Sequence, residues 1–126
     1  MPYKIMMSIV CIVPLIFSLA FVAIPEFFVL QWYPSAEGLA LEIAITHRYD
    51  MAGILFMVVC FAFQSRKVEK VDNQKVILLG AAIAFSAMCA VIISLPLFRG
   101  IPLDIPPMIA TGTIAALSFW SRSKLS

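Results

Sequence analysis

A long uncharged apolar segment at positions 76–97 is the sequence feature that most restricts the fold of this chain. An α-helix of that length is about 33 Å long at 1.5 Å per residue, and the hydrocarbon core of a bilayer is about 30 Å thick. Similar runs recur elsewhere, so that 63% of the residues are hydrophobic and only 13% are charged. Soluble domains contain about half apolar and a quarter charged residues. The sequence therefore predicts an integral membrane protein.

Four apolar runs predict an all-α, polytopic membrane protein folded as a single bundle of four transmembrane helices over residues 1–126. We expect the spans at about 5–24, 40–63, 76–97 and 105–120. The first run could also be a signal peptide cleaved after Ala20, but we expect it to be retained. The uninterrupted apolar part of the second run, Met51 to Phe63, reaches only about 20 Å, so its helix must extend back towards Leu39. The fourth span is short at about 24 Å, which local bilayer thinning or use of Leu103 can offset.

The distribution of Lys and Arg predicts the orientation. Seven lie at the N-terminal tail, in the loop 64–75 and in the C-terminal tail, whereas only Arg48 and Arg99 lie on the other side. Cytoplasmic loops carry the excess of basic residues. Both termini and the loop 64–75 are therefore predicted to be cytoplasmic. A bacterial inner membrane is the default location, because no organelle-targeting segment is visible.

Small residues spaced four apart predict where the helices pack closely, because lipid supplies no hydrophobic force between them. We expect the third helix to contact neighbours on two faces, with self-association through the same faces as the alternative. The predicted packing residues are Gly53, Gly80, Ala84, Ser86, Ala90, Ser94, Gly112 and Ala116.

One polar cluster falls inside a predicted span. Asp50 lies roughly 9 Å below the outer surface, and its short side chain cannot reach water. Thr46 and His47 share its helical face, whereas Arg48 points elsewhere and can extend to the surface. Arg99 is the expected cationic partner of Asp50, and Asp104 or Glu42 could pair with Arg48. The cluster is either a clamp between helices or a pocket for a small polar ligand or protons, open to the outer side.

Other chemistry finds no support in the sequence. The three cysteines are isolated and the chain has one histidine, so the spacings of metal, haem and dithiol sites are absent. Neither a nucleophile elbow, nor a phosphate-binding loop, nor a zinc-protease motif occurs. We expect no cofactor, no metal and no nucleic-acid partner, and favour a protein that is not an enzyme.

The order of motifs in the first half resembles the small DoxX-like four-helix membrane proteins of bacteria. Pro25-Glu26 closes the first span, the stretch from His47 to Gly53 opens the second, and a long apolar run ends in Arg66. Gly53 follows Arg48 by five positions, whereas that group frequently has four. The resemblance covers roughly residues 5–66 and implies a four-helix bundle, and many such proteins have no assigned activity.

Minimal loops and small-residue faces favour a non-enzymatic accessory or assembly subunit of a larger membrane complex. Its partners would be the bilayer and other membrane subunits, or a second copy. The alternative is a small transporter or ligand-binding membrane protein that uses the polar cluster at Asp50. Four-helix multidrug exporters depend on an acidic residue in the first helix, and the run from Ile5 to Ile24 contains none.

Overall fold

The computed structural model describes residues 1–126 and contains five α-helices and no strand, which confirms the all-α prediction. The helices are α1 (Tyr3–Ala23), α2 (Pro25–Trp32), α3 (Gly38–Ser65), α4 (Val71–Arg99) and α5 (Ile105–Ser123). Three of them, α1, α3 and α4, are long and apolar enough to cross a membrane. The chain therefore has three candidate membrane-spanning helices. A fourth crossing by α5 is not established by its length and composition.

Helix boundaries follow local backbone chemistry. Ile24 leaves helical geometry at φ −137° and ψ 53°, and Pro25 then opens α2, where its missing N–H leaves no donor unpaired. The sequence predicts that the first span closes at Pro25-Glu26 and predicts no separate helix after it, so α2 was missed. Gly38, with φ +57°, starts α3 next to the predicted extension at Leu39. Gly100, with φ +64°, ends α4 in the left-handed conformation that glycine adopts without strain.

The chain divides into two compact units by its internal contacts. The first unit comprises residues 1–10 and 62–126, and the second unit comprises residues 11–61. The predicted single domain stays a prediction.

In the second unit, α1 and α3 pair in antiparallel fashion. The hydroxyl of Ser18 donates a hydrogen bond to the carbonyl oxygen of Ala52 at 2.8 Å, and the Cys11 thiol approaches the carbonyl oxygen of Val59 at 3.8 Å. Ser18 and Ala52 are both buried, and the two contacts lie two turns apart on each helix. Small residues and these hydrogen bonds let the two backbones approach closely.

In the first unit, α4 and α5 form the corresponding antiparallel pair. The Cys89 thiol of α4 lies 3.7 Å from the Met108 carbonyl oxygen of α5. One turn further along α5, a Cβ atom on Gly112 would lie 3.5 Å from the Cys89 sulfur. The buried residues of the pair are Leu78, Ala82 and Ile92 of α4 and Thr111, Ile114, Ala115, Ser118 and Ser121 of α5. Most of those on α5 are small.

The other small residues predicted to pack do not lie on these faces. A Cβ atom on Gly53 or Gly80 would have no other heavy atom within 4 Å, and Ser94 is only half-buried. Four more of the predicted packing residues are exposed: Ala84, Ser86, Ala90 and Ala116. The expectation that α4 packs inside the chain through Gly80 is wrong. Successive residues turn by about 100°, so Gly80 points away from the buried Ala82, which lies about 200° further round the helix.

Candidate functional site

The pairing of α1 with α3 carries one cation into a buried position. One turn beyond the Ser18–Ala52 hydrogen bond, Phe21 of α1 meets Arg48 of α3. Both side chains are buried, with 3% and 7% of their surface exposed. The residues in the following turns that share this face of α3, Ala52, Val59 and Ala62, are also buried. Arg48 therefore continues the packed face of α3.

Two aromatic rings lie against the Arg48 guanidinium. Its carbon Cζ lies 5.3 Å from the centre of the Phe21 ring and 4.8 Å from the centre of the Trp32 ring. Phe28 meets Phe21 edge to face at 4.9 Å, with an interplanar angle of 85°. The Arg48 nitrogen Nη1 lies 3.7 Å from the Met51 sulfur, a weak acceptor. We call Phe21, Trp32 and Arg48 the aromatic clamp.

The electrostatics of the aromatic clamp suit a permanent cation. Each aromatic ring presents a negative face, and a guanidinium within about 6 Å of the ring centre is attracted to it. The attraction is worth about 2 kcal/mol when water is excluded. Because Phe21 lies on α1, Trp32 on α2 and Arg48 on α3, the contact joins three consecutive helices of the second unit. The arrangement can hold these helix ends together, because both rings lie against the cation.

The predicted orientation of the polar cluster is wrong. Asp50, which was expected to face the interior, is exposed, whereas Arg48, which was expected to extend to the surface, is buried. The reason is the register of α3, in which Arg48 shares a face with Ala52 and Asp50 does not. Thr46 and His47 are exposed with Asp50, as their shared face requires, and Thr46 donates its hydroxyl to the carbonyl oxygen of Glu42 at 2.9 Å.

The remaining members of the predicted cluster lie on the second and first units. Glu42 is exposed on α3 in the second unit. Arg99 is exposed at the last turn of α4, and Asp104 is half-buried at the residue that precedes α5. The pairings proposed for Asp50 with Arg99, and for Arg48 with Asp104 or Glu42, stay predictions.

A signal for the aromatic clamp is present in the sequence. Successive spacings of four, three, four and three residues lead from Arg48 to Ala52, Leu55, Val59 and Ala62. This is the pattern of one buried helical face. The predicted orientation of Arg48 rested on its depth in the bilayer and not on this pattern. The ring partners could not be found in this way, because Phe21 and Trp32 belong to other helices.

No family model, curated protein or solved structure matches this chain. The resemblance to the DoxX-like proteins therefore stays a prediction.

Proposed function

We propose that this chain is a four-span membrane protein that serves as a non-enzymatic accessory or assembly subunit of a larger membrane complex. The observation that carries the proposal is the small-residue face of α4. Gly80, Ala84 and Ala87 are exposed on the side of α4 opposite to Ala82. Membrane helices associate through such faces, because small residues allow close approach of the two backbones.

Hydrogen bonds within the first unit support the return of the chain to its starting side. The Tyr3 hydroxyl donates to the carbonyl oxygen of Ser65 at 2.9 Å, and the Ser121 hydroxyl donates to the carbonyl oxygen of Met1 at 2.8 Å. The N-terminus, the end of α3 and the end of α5 therefore lie at one end of that unit. Because this end also carries seven of the nine Lys and Arg residues, the positive-inside rule favours a cytoplasmic location for it.

The aromatic clamp supports a structural role for the one buried cation. An ionisable side chain within a membrane helix usually marks a function or a structural pair. Arg48 has an aromatic ring from each of two other helices against it, at 5.3 and 4.8 Å. This arrangement favours the clamp over the pocket, because the guanidinium is used to join helices.

The bacterial inner membrane remains the proposed location.

The first experiment tests the topology. Fusions of green fluorescent protein and of alkaline phosphatase to the C-terminus report the side of the membrane on which that end lies. Four crossings with a cytoplasmic N-terminus predict that the green fluorescent protein fusion is fluorescent and that the alkaline phosphatase fusion is inactive. The opposite pair of results would mean that α5 does not cross, and the four-span proposal would fail.

The second experiment tests the accessory role. The tagged chain is purified from native membranes in a mild detergent, and companion proteins are quantified by mass spectrometry. We expect a stoichiometric membrane partner that is lost from Gly80→Leu, which adds bulk to the exposed face. Ser86→Leu is the matched control, because it adds bulk to the same helix at an exposed position about 120° away.

Two outcomes would contradict the accessory role. One is that the chain has no companion protein either in mild detergent or after reconstitution into lipid. The other is proton-coupled solute flux in liposomes that is lost in Asp50→Asn, which would favour the transporter alternative. Equal loss of the partner from both Leu variants would exclude the small-residue face as the docking surface.

A further inference from the structure

A groove with a volume of about 380 Å³ lies in the first unit and is lined mainly by charged residues. Its lining comprises Lys4, Phe63, Arg66, Lys67 and Glu69. We call it the basic groove. Three of these side chains are cations and one is an anion, so the groove carries an excess of two positive charges.

The backbone around the basic groove is held in place by hydrogen bonds. The bond from Tyr3 to Ser65 fixes the first turn of α1, which carries Lys4, beside the last turn of α3. The amide of Arg66 donates to the carbonyl oxygen of Ala62 at 3.3 Å, and the amide of Lys67 donates to that of Gln64 at 3.1 Å. The positions of the cations are therefore set by the fold as well as by their own flexible side chains.

Arg66 has spare capacity to bind an anion. Its Nε atom is buried and has no hydrogen-bond partner, and its guanidinium carbon lies 5.9 Å from the centre of the Phe63 ring. At Nε, turning this side chain towards a ligand would therefore break no hydrogen bond within the chain. Arg presents its donors as a planar fork that suits phosphate oxygens, and Lys adds point charges.

We propose that the basic groove binds the phosphate of an anionic lipid headgroup. The proposal rests on the proposed topology, which places this end of the first unit at the cytoplasmic membrane surface. Phe63 is 50% exposed and belongs to the last turns of the apolar α3, so the groove joins a hydrocarbon-facing surface to a cationic one. A lipid offers both chemistries in one molecule, whereas free phosphate offers only the charge.

Glu69 restricts which lipid headgroups suit the basic groove. Its carboxylate can accept hydrogen bonds but would repel a second negative charge near the bound phosphate. A phosphodiester with hydroxyl groups, such as phosphatidylglycerol, therefore suits the groove better than a phosphomonoester such as phosphatidic acid. The expected order of binding is phosphatidylglycerol, then phosphatidic acid, then phosphatidylcholine.

Native mass spectrometry of the full chain in a neutral detergent measures this binding with each lipid added in turn. We expect Lys4→Gln/Lys67→Gln to weaken phosphatidylglycerol binding about 30-fold, which corresponds to about 1 kcal/mol for each cation near a lipid surface. Both side chains are exposed, so this variant should fold. Arg122→Gln/Lys124→Gln is the matched control, because it removes two exposed cations from α5 and the residue after it, outside the groove.

Arg66→Lys tests the fork geometry, because it keeps the charge and removes the planar donors. We expect it to weaken phosphatidylglycerol binding while the control variant stays within about threefold of the unmodified chain. Equal losses in the groove and control variants would overturn the proposal in favour of unspecific attraction. Displacement of the lipid by millimolar inorganic phosphate would overturn it in favour of a free anion site. A partner that copurifies normally with the groove variants would leave the accessory role intact if lipid binding fails.

Discussion

The aromatic clamp predicts a measurable coupling between two side chains. Trp32→Leu removes the ring that lies 4.8 Å from the Arg48 guanidinium, and Arg48→Met removes the charge while keeping an unbranched side chain of similar length. Each single substitution also changes other contacts of its residue. The double-mutant cycle cancels those terms and isolates the contact between Arg48 and Trp32.

The magnitude follows from the burial of the cation. Exposed cation–π contacts are worth about 0.5–1 kcal/mol, and contacts from which water is excluded are worth about 2 kcal/mol. Arg48 is only 7% exposed, whereas Trp32 is half-buried, so we expect a coupling free energy of about 1.5 kcal/mol. That energy corresponds to roughly a tenfold change in the folding equilibrium.

The assay is reversible unfolding in mixed micelles, with the helical circular dichroism signal followed while a denaturing detergent is added. The four chains of the cycle give the coupling free energy directly. The control cycle pairs Arg48→Met with Phe56→Leu, because Phe56 is an exposed aromatic residue eight positions away on the same helix, about 12 Å along its axis. Its coupling should be close to zero.

A coupling free energy below about 0.5 kcal/mol between Arg48 and Trp32 would refute the clamp. Even cation–π contacts that are exposed to water reach that value. An equal coupling in the Phe56 cycle would also refute it. The effect would then come from the loss of the charge and not from the ring.

Three further substitutions distinguish the roles of individual polar groups by the same unfolding assay. Ser18→Ala should destabilise the chain by about 0.6–1.5 kcal/mol, because the buried Ala52 carbonyl loses its hydroxyl donor. Ser118→Ala should be neutral or stabilising by up to about 1 kcal/mol, since the buried Ser118 hydroxyl has no hydrogen-bond partner; clear destabilisation would contradict this. Asp50→Asn should change stability by less than about 0.5 kcal/mol, because Asp50 is exposed, and a strong loss of folded chain would favour an interior Asp50.

Helix positions could be predicted from the sequence because they depend on local properties. The predicted spans at 40–63, 76–97 and 105–120 lie within α3, α4 and α5, and the first differs from α1 only at Ile24 and the first two residues. Apolar runs and the residues that interrupt them are enough for three of these spans, and the second also needed the bilayer thickness, because only Met51 to Phe63 is uninterrupted. The short helix α2 was missed because eight residues do not carry a recognisable period.

Side-chain partners could not be predicted in the same way. Residues of one helical turn differ in depth by only about 1.5 Å each but point in different directions, so depth cannot tell which of Arg48 and Asp50 faces a neighbouring helix. The presence of small residues likewise does not say which of two faces of α4 is covered. These questions depend on the rotation of each helix about its axis, which is set by packing against other helices.

The sequence by itself determined the class of protein and its helices, because the amount of apolar surface leaves lipid as its solvent. The tertiary structure decided which residues meet. It placed Arg48 between Phe21 and Trp32, exposed the Gly80 face of α4, and brought Lys4 into one groove with Arg66. The physical reason is that contacts between helices depend on the register and rotation of each helix. Both are set by the packing of side chains that are distant in the sequence.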